Sequence, residues 1–345
     1  LSSALTAWPE APAVLLREHY RCHPKIINFC NQKFYGGKLI VMTADHDEPD
    51  VLTMYRTAPG NHARGRLNQR EIDVIQKEVL PHLQEKGYRS IGVITPYRDQ
   101  VAALQSQLGG GIEAVTVHKF QGREKDAIVL TSVDNVITEF VDDPRMLNVA
   151  VSRAVKSLTV VTSQDPRNDQ TNYGDLARYI EYNNCAVVES AVYSIFDLLY
   201  QGYAQQRCVF LQKHRRISEY DSENLLYAVI ERILMEPEFS AVSSAVHVSL
   251  VNLVKDYSLL NHEEKSYAKN LLTHVDFLLF RKMDKSPLLA VEVDGTAFRA
   301  ASSVQAMRDE KKNHILSQCG IPLLRLKTDG SDEKKQIEQA LRTAL

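Results

Sequence analysis

The segment Val115–Leu130 constrains the fold more than any other: two apolar runs flank a polar, turn-prone centre carrying Gln121 and Gly122. Ala127, Ile128, Val129 and Leu130 are apolar without alternation, the pattern of a strand covered on both faces. Ile91–Ile94 and Leu158–Val161 repeat it. Ile72, Ile75, Val79 and Leu83 are spaced as one face of a helix over 68–83, with Glu71 and Asp73 near its positive end, and a second helix is expected over Asp99–Leu108. Strands alternating with helices predict a mostly parallel sheet. Ligands of such sheets sit at the carboxyl ends of the strands, where Thr95, the turn from His118 to Glu124, and Arg153 are expected to gather.

With 345 residues there is room for two domains, and 44% hydrophobic content supplies cores for both. The net charge of −2 gives no global attraction to polyanions, so any nucleic-acid contact must come from local basic patches. Five cysteines without a Cys-x-x-Cys pair argue against a zinc site or a disulfide framework and for a reducing compartment. No long apolar run or secretory signal is present, so the expected location is the cytoplasm, with no membrane partner.

Val115–Leu130, together with Asn148-Val-Ala-Val-Ser-Arg153, resembles motifs V and VI of superfamily 1 helicases, in the branch of the nonsense-mediated-decay and Okazaki-flap helicases. Tyr20-Arg21, followed by His23-Pro24 and an apolar helix containing Ile26, Ile27, Cys30 and Phe34, resembles the opening of the second RecA-like domain of that branch. The resemblance implies that Arg21 reaches the γ-phosphate of ATP and that Tyr20 lies near the base. It implies further that Gln121 and Gly122 couple the nucleotide to the cleft, Glu124 contacts the ribose, and Arg153 acts as an arginine finger. Thr95, Thr116 and His118 fall on the nucleic-acid side. Read alone, Arg21 is equally a solvated arginine before a helix cap, and His118 a histidine at a strand end. Cations aimed at developing charge are what phosphoryl transfer needs, and Arg21 and Arg153 suit that role.

Gly36-Gly37-Lys38-Leu39 lacks the earlier glycine and the hydroxyl residue of a phosphate-binding loop. Residues 1–165 are therefore expected to be the second motor domain alone, cut from a longer helicase and unable to hydrolyse ATP without the first domain in cis or trans. Residues 166–215 read as a helical connector, from apolar positions such as Leu176, Ile180, Val192, Phe196 and Leu199.

Residues 216–345 read as a second α/β domain. A helix is expected through Leu234, capped by Asp221 or Ser222 and carrying Glu223, followed by a strand over 245–251. Asp276 lies inside the apolar run Val275–Phe280, where an unpaired carboxylate is expensive. Glu292 and Asp294 share a face of the next strand, so three carboxylates are expected to converge as oxygen ligands for Mg2+ or Mn2+. The set resembles the PD-(D/E)XK nucleases, in the branch related to very-short-patch repair endonuclease, with a restriction-endonuclease-like fold. The resemblance implies DNA phosphodiester hydrolysis by Glu223, Asp276, Glu292, Asp294 and a lysine. Asp294 occupies the usual lysine position and Lys312 is the substitute; Arg299 stands near the place of a frequent histidine and is assigned to phosphate. The combined expectation is the carboxyl-terminal part of a helicase–nuclease acting on single strands or junctions in defence or repair, with RNA also open to the motor. The alternatives are a nuclease fold that only binds DNA, and an interaction subunit completing an ATPase site in another chain.

Overall fold

The computed structural model describes residues 6–7, 14, 16–60, 62–109, 111–120, 122–163, 170–295 and 303–345, with 303–306 as backbone only. The chain divides into two compact units, the first holding residues 1–59 and 63–190, the second 60–62 and 191–345.

The first unit is built on six strands: β1 (Leu52–Arg56), β2 (Ile91–Thr95), β3 (Glu113–Thr116), β4 (Lys125–Thr131), β5 (Ala154–Thr162) and β6 (Ala186–Glu189). Their order is β6-β1-β5-β4-β2-β3, and every neighbouring pair is parallel. The centre of the sheet is apolar on both faces, as the unalternating runs require: Val93, Ile94, Ile128, Val129 and Leu158 are fully buried. Each contributes roughly 1.5–3 kcal/mol by leaving water. Helix α1 (Pro24–Phe34) starts with proline in its first turn and His23 as its cap, and buries Ile26, Ile27, Phe29 and Cys30.

The helix expected over 68–83 is interrupted. Helices α2 (Gln69–Val74) and α3 (Leu80–Glu85) are joined by a π-turn at Ile75–Val79, where Leu80 N–H donates to Ile75 O. Pro81 explains the irregularity: it has no N–H, and its ring would press on the Lys77 carbonyl in a regular turn. Helix α4 (Arg98–Gln107) follows β2 as expected, and α5 (Pro144–Val151) leads to Arg153.

The connector expected at 166–215 is divided between the units. Helix α6 (Asn172–Tyr182) buries Tyr173, Leu176 and Ile180 in the first unit, and β6 closes an edge of its sheet on β1. Phe196 is fully buried in the core of the second unit. Three half-exposed residues and the exposed Glu189 make a run at a sheet edge too short to announce a strand.

The second unit contains helix α7 (Ala204–Gln212), helix α8 (Asp221–Leu234), strand β7 (Val242–Ser249), helix α9 (His262–Lys269), strands β8 (His274–Arg281) and β9 (Pro287–Asp294), helix α10 (Ser303–Gln318), strand β10 (Leu323–Lys327) and helix α11 (Glu333–Ala344). The sheet order is β7-β8-β9-β10, antiparallel for the first two pairs and parallel for the last. Parallel pairing of β9 with β10 needs a crossover, and α10 supplies it. Neither Asp221 nor Ser222 caps α8. Tyr220 holds the cap position, and the buried Asn224 side chain accepts from the N–H groups of Ile217 and Ser218, which fixes the entering chain.

Candidate functional sites

In the first unit the cationic side chains meet at the amino ends of the strands. Arg153 immediately precedes β5 and Glu124 immediately precedes β4. Arg21 Nε lies 2.5 Å from Glu124 Oε2, and both side chains are substantially exposed. The Arg153 guanidinium is tied to backbone and hydroxyl groups, with Nε on Val149 O at 3.2 Å, one terminal nitrogen on Arg123 O at 3.4 Å and the other on Ser152 Oγ at 3.2 Å. It has no carboxylate among these partners. Burial first, and then the charge of Arg21, hold the pKa of Arg153 below its usual value; burial, Arg21 and Arg153 do the same to His19. Glu18, His19, Tyr20, Arg21, Glu124 and Val155 line an open cleft of about 510 Å3. Two neighbouring guanidiniums beside one carboxylate leave an excess of positive charge suited to an anion.

Thr95 and Thr116 end β2 and β3, at the opposite edge of the parallel sheet from Arg153. The expectation that all of these residues gather at the carboxyl ends therefore fails: Arg153 and Glu124 come before their strands. Thr95 is completely buried, which takes its side chain away from any nucleic acid. His118 is exposed in the turn Val117–Phe120 and borders a cleft with Phe140, Asp143 and Arg145. Phe120 anchors that turn: its ring is fully buried and packs where Gly92 offers no side chain, a Cβ there lying 2.9 Å from the ring. Gly122 has φ +82°, the left-handed region that glycine enters without strain. Gln121 lies outside the described residues.

His23, Asp45 and Glu48 bring three possible metal-binding atoms within 4.8 Å of one another. His23 Nδ1, however, accepts from Lys25 N–H at 3.2 Å, so neutral His23 carries its proton on Nε2 and gives it to Glu48 at 3.1 Å. A protonated nitrogen has no lone pair for a metal. Lys25 Nζ, 3.3 Å from Asp45, completes an ion-pair network.

The second unit gathers the opposite charge. On the neighbouring strands β8 and β9, Glu292 is buried and Asp276 half-buried. Asp276 Oδ2 accepts from Val293 N–H at 2.8 Å. Burial is the main cause that raises the Asp276 pKa, and the charge of Glu223 adds to it. Burial and then the charge of Asp276 push Glu292 up to about 6. Lys312 from α10 answers this pair: its Nζ is 2.8 and 2.9 Å from the two Glu292 oxygens and 2.8 Å from His274 O. Lys312 thus stands beside the carboxylates from a helix, although Asp294 holds the position two residues after Glu292.

Asp294 does not join them as the third acid. Arg325, on β10, holds its carboxylate at 3.0 Å and also reaches Asp309 at 3.5 Å. The third acidic group near Asp276 is Glu223 from α8, whose Oε2 is 2.8 Å from His247 Nε2. Glu223, His247 and His274 border an open cleft of about 780 Å3 together with Arg216, Ser218 and Tyr220. The sequence reading missed His247, His274 and Arg325. A histidine between Val246 and Val248 in a strand is a weak signal, and Arg325 shows its role only through the β9–β10 register. Arg299 lies outside the described residues. Among the described residues, no helix is long and apolar enough to cross a membrane.

Comparison with known proteins follows the same division. Residues 2–165 match the family described as AAA domain, and residues 218–345 match the family described as Protein of unknown function (DUF2726). An uncharacterized ATP-dependent helicase of Caenorhabditis elegans is 26% identical over 193 residues, 50% of this chain and 13% of that protein. A regulator of nonsense transcripts 1 homolog of Arabidopsis thaliana is 29% identical over 244 residues, 62% of this chain and 18% of that protein. A 5'-3' DNA helicase of Mus musculus is 28% identical over 187 residues, 49% of this chain and 10% of that protein. The chain thus spans less than a fifth of the length of these curated relatives. The first unit is similar to the second motor domain of superfamily 1 helicases.

Proposed function

We propose that the chain joins half of a nucleic-acid motor to a nuclease. The motor half contributes Arg21 and Arg153 to ATP held by a phosphate-binding loop from a first motor domain, in cis or in trans. Support comes from the guanidinium of Arg153, held by neutral partners and crowded by Arg21, which leaves its charge available to a phosphate. Tyr20 and Glu124 border the same cleft and suit the base and ribose. His118 and Thr116 remain the nucleic-acid contacts.

For the second unit we propose hydrolysis of DNA phosphodiesters with Mg2+ or Mn2+. The observation that carries this reading is the pair of neighbouring carboxylates, Asp276 and Glu292: burial raises both pKa values, the charge of Glu223 adds to the rise of Asp276, and the charge of Asp276 adds to that of Glu292. Two hard oxygen donors short of positive charge fit such a cation. When bound, the ion supplies Lewis acidity to the phosphodiester and to water. Asp276 and Glu292 would hold it, and Lys312 would steady negative charge developing on phosphate. The order helix α8, strand β7, helix α9, strands β8 and β9, helix α10, strand β10 supports a restriction-endonuclease-like core.

The test is incubation of the purified chain with labelled single- and double-stranded DNA in Mg2+, Mn2+ or chelator. Cation-dependent cleavage lost in Asp276→Ala and Glu292→Ala is expected. Intact binding with no cleavage under either cation would leave a DNA-binding fold without nuclease activity.

A further inference from the structure

An aromatic pair on the first unit stands outside the cleft lined by Arg21 and Glu124. Two residues beyond Thr95, past the carboxyl end of β2, Tyr97 stacks on Phe140 with ring centroids 5.6 Å apart and planes 22° from parallel. Phe140 is 52% exposed. A single exposed apolar side chain needs no explanation, but this one is built into place. Asp134 Oδ2 accepts from the Tyr97 hydroxyl at 2.9 Å and from Thr138 Oγ1 at 2.8 Å, which ties the stacked ring and the loop to one carboxylate. On the other side of Phe140, Val141 is buried, and Asp142 N–H donates to Thr138 O at 2.9 Å. The Asp142 carboxylate accepts from the Asn172 and Tyr173 N–H groups of α6. A loop anchored on both sides thus carries the phenyl ring half in water.

The surroundings favour one kind of occupant. The Arg66 guanidinium lies 5.8 Å from the centre of the Tyr97 ring. Arg66 is exposed in the turn between two short antiparallel strands, Ala63–Arg64 and Leu67–Asn68, where Gly65 takes φ +63° without strain. Arg98, next to Tyr97, is exposed as well. Phe140 also borders the cleft of His118, of about 450 Å3. Glu139 and Asp143 stand in the same wall, and Asp143 is engaged by Arg145 and by the first turn of α5. A protein interface wants a broad patch with charge kept from its centre, and one ring among Arg66, Arg98 and His118 offers neither. A nucleobase needs only one ring, with cations near enough for the phosphates on either side.

We propose that Phe140, steadied by Tyr97, is a stacking platform for one base of a single strand of nucleic acid. The inference rests on the reading of the first unit as half of a nucleic-acid motor, and it names the residue by which that half grips a base. Every base has a π-face, so the grip tolerates any sequence, as movement along a strand requires. Arg66 and Arg98 are the cations placed to meet the flanking phosphates. Phe140 itself meets none, so it adds affinity without releasing counterions.

The test is equilibrium binding of labelled single-stranded DNA and, separately, RNA of mixed sequence to the purified full chain, in chelator and without ATP, over a range of salt. Phe140→Ala should weaken binding roughly fivefold to a hundredfold. Its salt dependence should keep the slope of the parent, because no phosphate contact is lost. Phe140→Trp should bind at least as tightly as the parent, and Phe140→Leu, apolar but without a π-face, should resemble alanine. Thermal unfolding confirms that each variant folds. A 5-iodouracil base in the strand should crosslink on irradiation to the peptide that carries Phe140, a readout that needs no variant. Parent-like affinity in Phe140→Ala beside weakened binding in His118→Ala overturns the platform and leaves the motor reading standing. Crosslinks confined to the second unit overturn it too. No binding of either strand by the unaltered chain removes both.

Discussion

The two units solve opposite electrostatic problems. The first brings Arg153 near Arg21, which borders an open cleft and pairs with Glu124, so two guanidiniums share one carboxylate. The second brings Asp276 and Glu292 side by side with Lys312 as the ammonium on Glu292, so two acids share one ammonium. Like charges held close are costly, and each arrangement persists because the surrounding fold determines it. The difference teaches where to look for each ligand. Guanidiniums at or near an open cleft suit a partner that arrives with its own charge, whereas the sunken Glu292 already keeps an ammonium beside it.

The largest expected effect tests the first half of this contrast. In an assembly that supplies the first motor domain, Arg153→Ala should lower ATP turnover by about a thousandfold or more while nucleic-acid binding persists. Unaltered turnover would remove Arg153 from the nucleotide site. The second half is probed by Lys312→Met, which takes the ammonium from Glu292 and leaves the buried carboxylates facing each other. A buried pair broken in this way costs about 3 kcal/mol or more, read as a fall in the denaturant midpoint of the second unit. If stability holds, the acidic pair is solvated well enough not to need a cation.

A smaller effect concerns the turn that carries His118. Gly92→Ala places a methyl group 2.9 Å from the buried ring of Phe120. Overpacking of this kind costs about 1–3 kcal/mol and should loosen the Val117–Phe120 turn, seen as faster amide exchange there. Protection unchanged from the parent would mean that the ring can move aside.

Much of this was legible in the residues. Unalternating runs such as Ile91–Ile94 and Ala127–Leu130 announce central parallel strands because both faces must be apolar. Asp276 was visible for the converse reason, as a carboxylate among apolar neighbours. Registers were not legible. The pairing of Asp294 with Arg325, and the row that sets His247 opposite Asp276, depend on which residues face each other across strands, and local pattern does not encode that. Nor did the pattern of 166–215 show which parts of the segment each unit would absorb.

The last prediction separates a structural buried carboxylate from a functional one. Glu71 in the first unit is completely buried, and burial raises its pKa to about 6, the value Glu292 reaches. Its oxygens nevertheless accept from Thr131, Ser132, Ser163 and the Val133 N–H. Among the described residues, Asp276 accepts from Val293 N–H and from no other donor. Glu71 is therefore saturated by neutral donors and has no need of an ion. Because its folded pKa lies above the unfolded value of 4.5, the contribution of Glu71 to stability is fully present below about pH 4.5 and is lost as pH rises through about 6. The loss is about 2 kcal/mol, and Glu71→Gln should flatten that part of the stability profile. Added Mg2+ should leave the slope from Glu71 untouched while raising the stability of the second unit at neutral pH through Asp276 and Glu292. Equal responses of both units to the cation would break the distinction between saturated and unsaturated carboxylates.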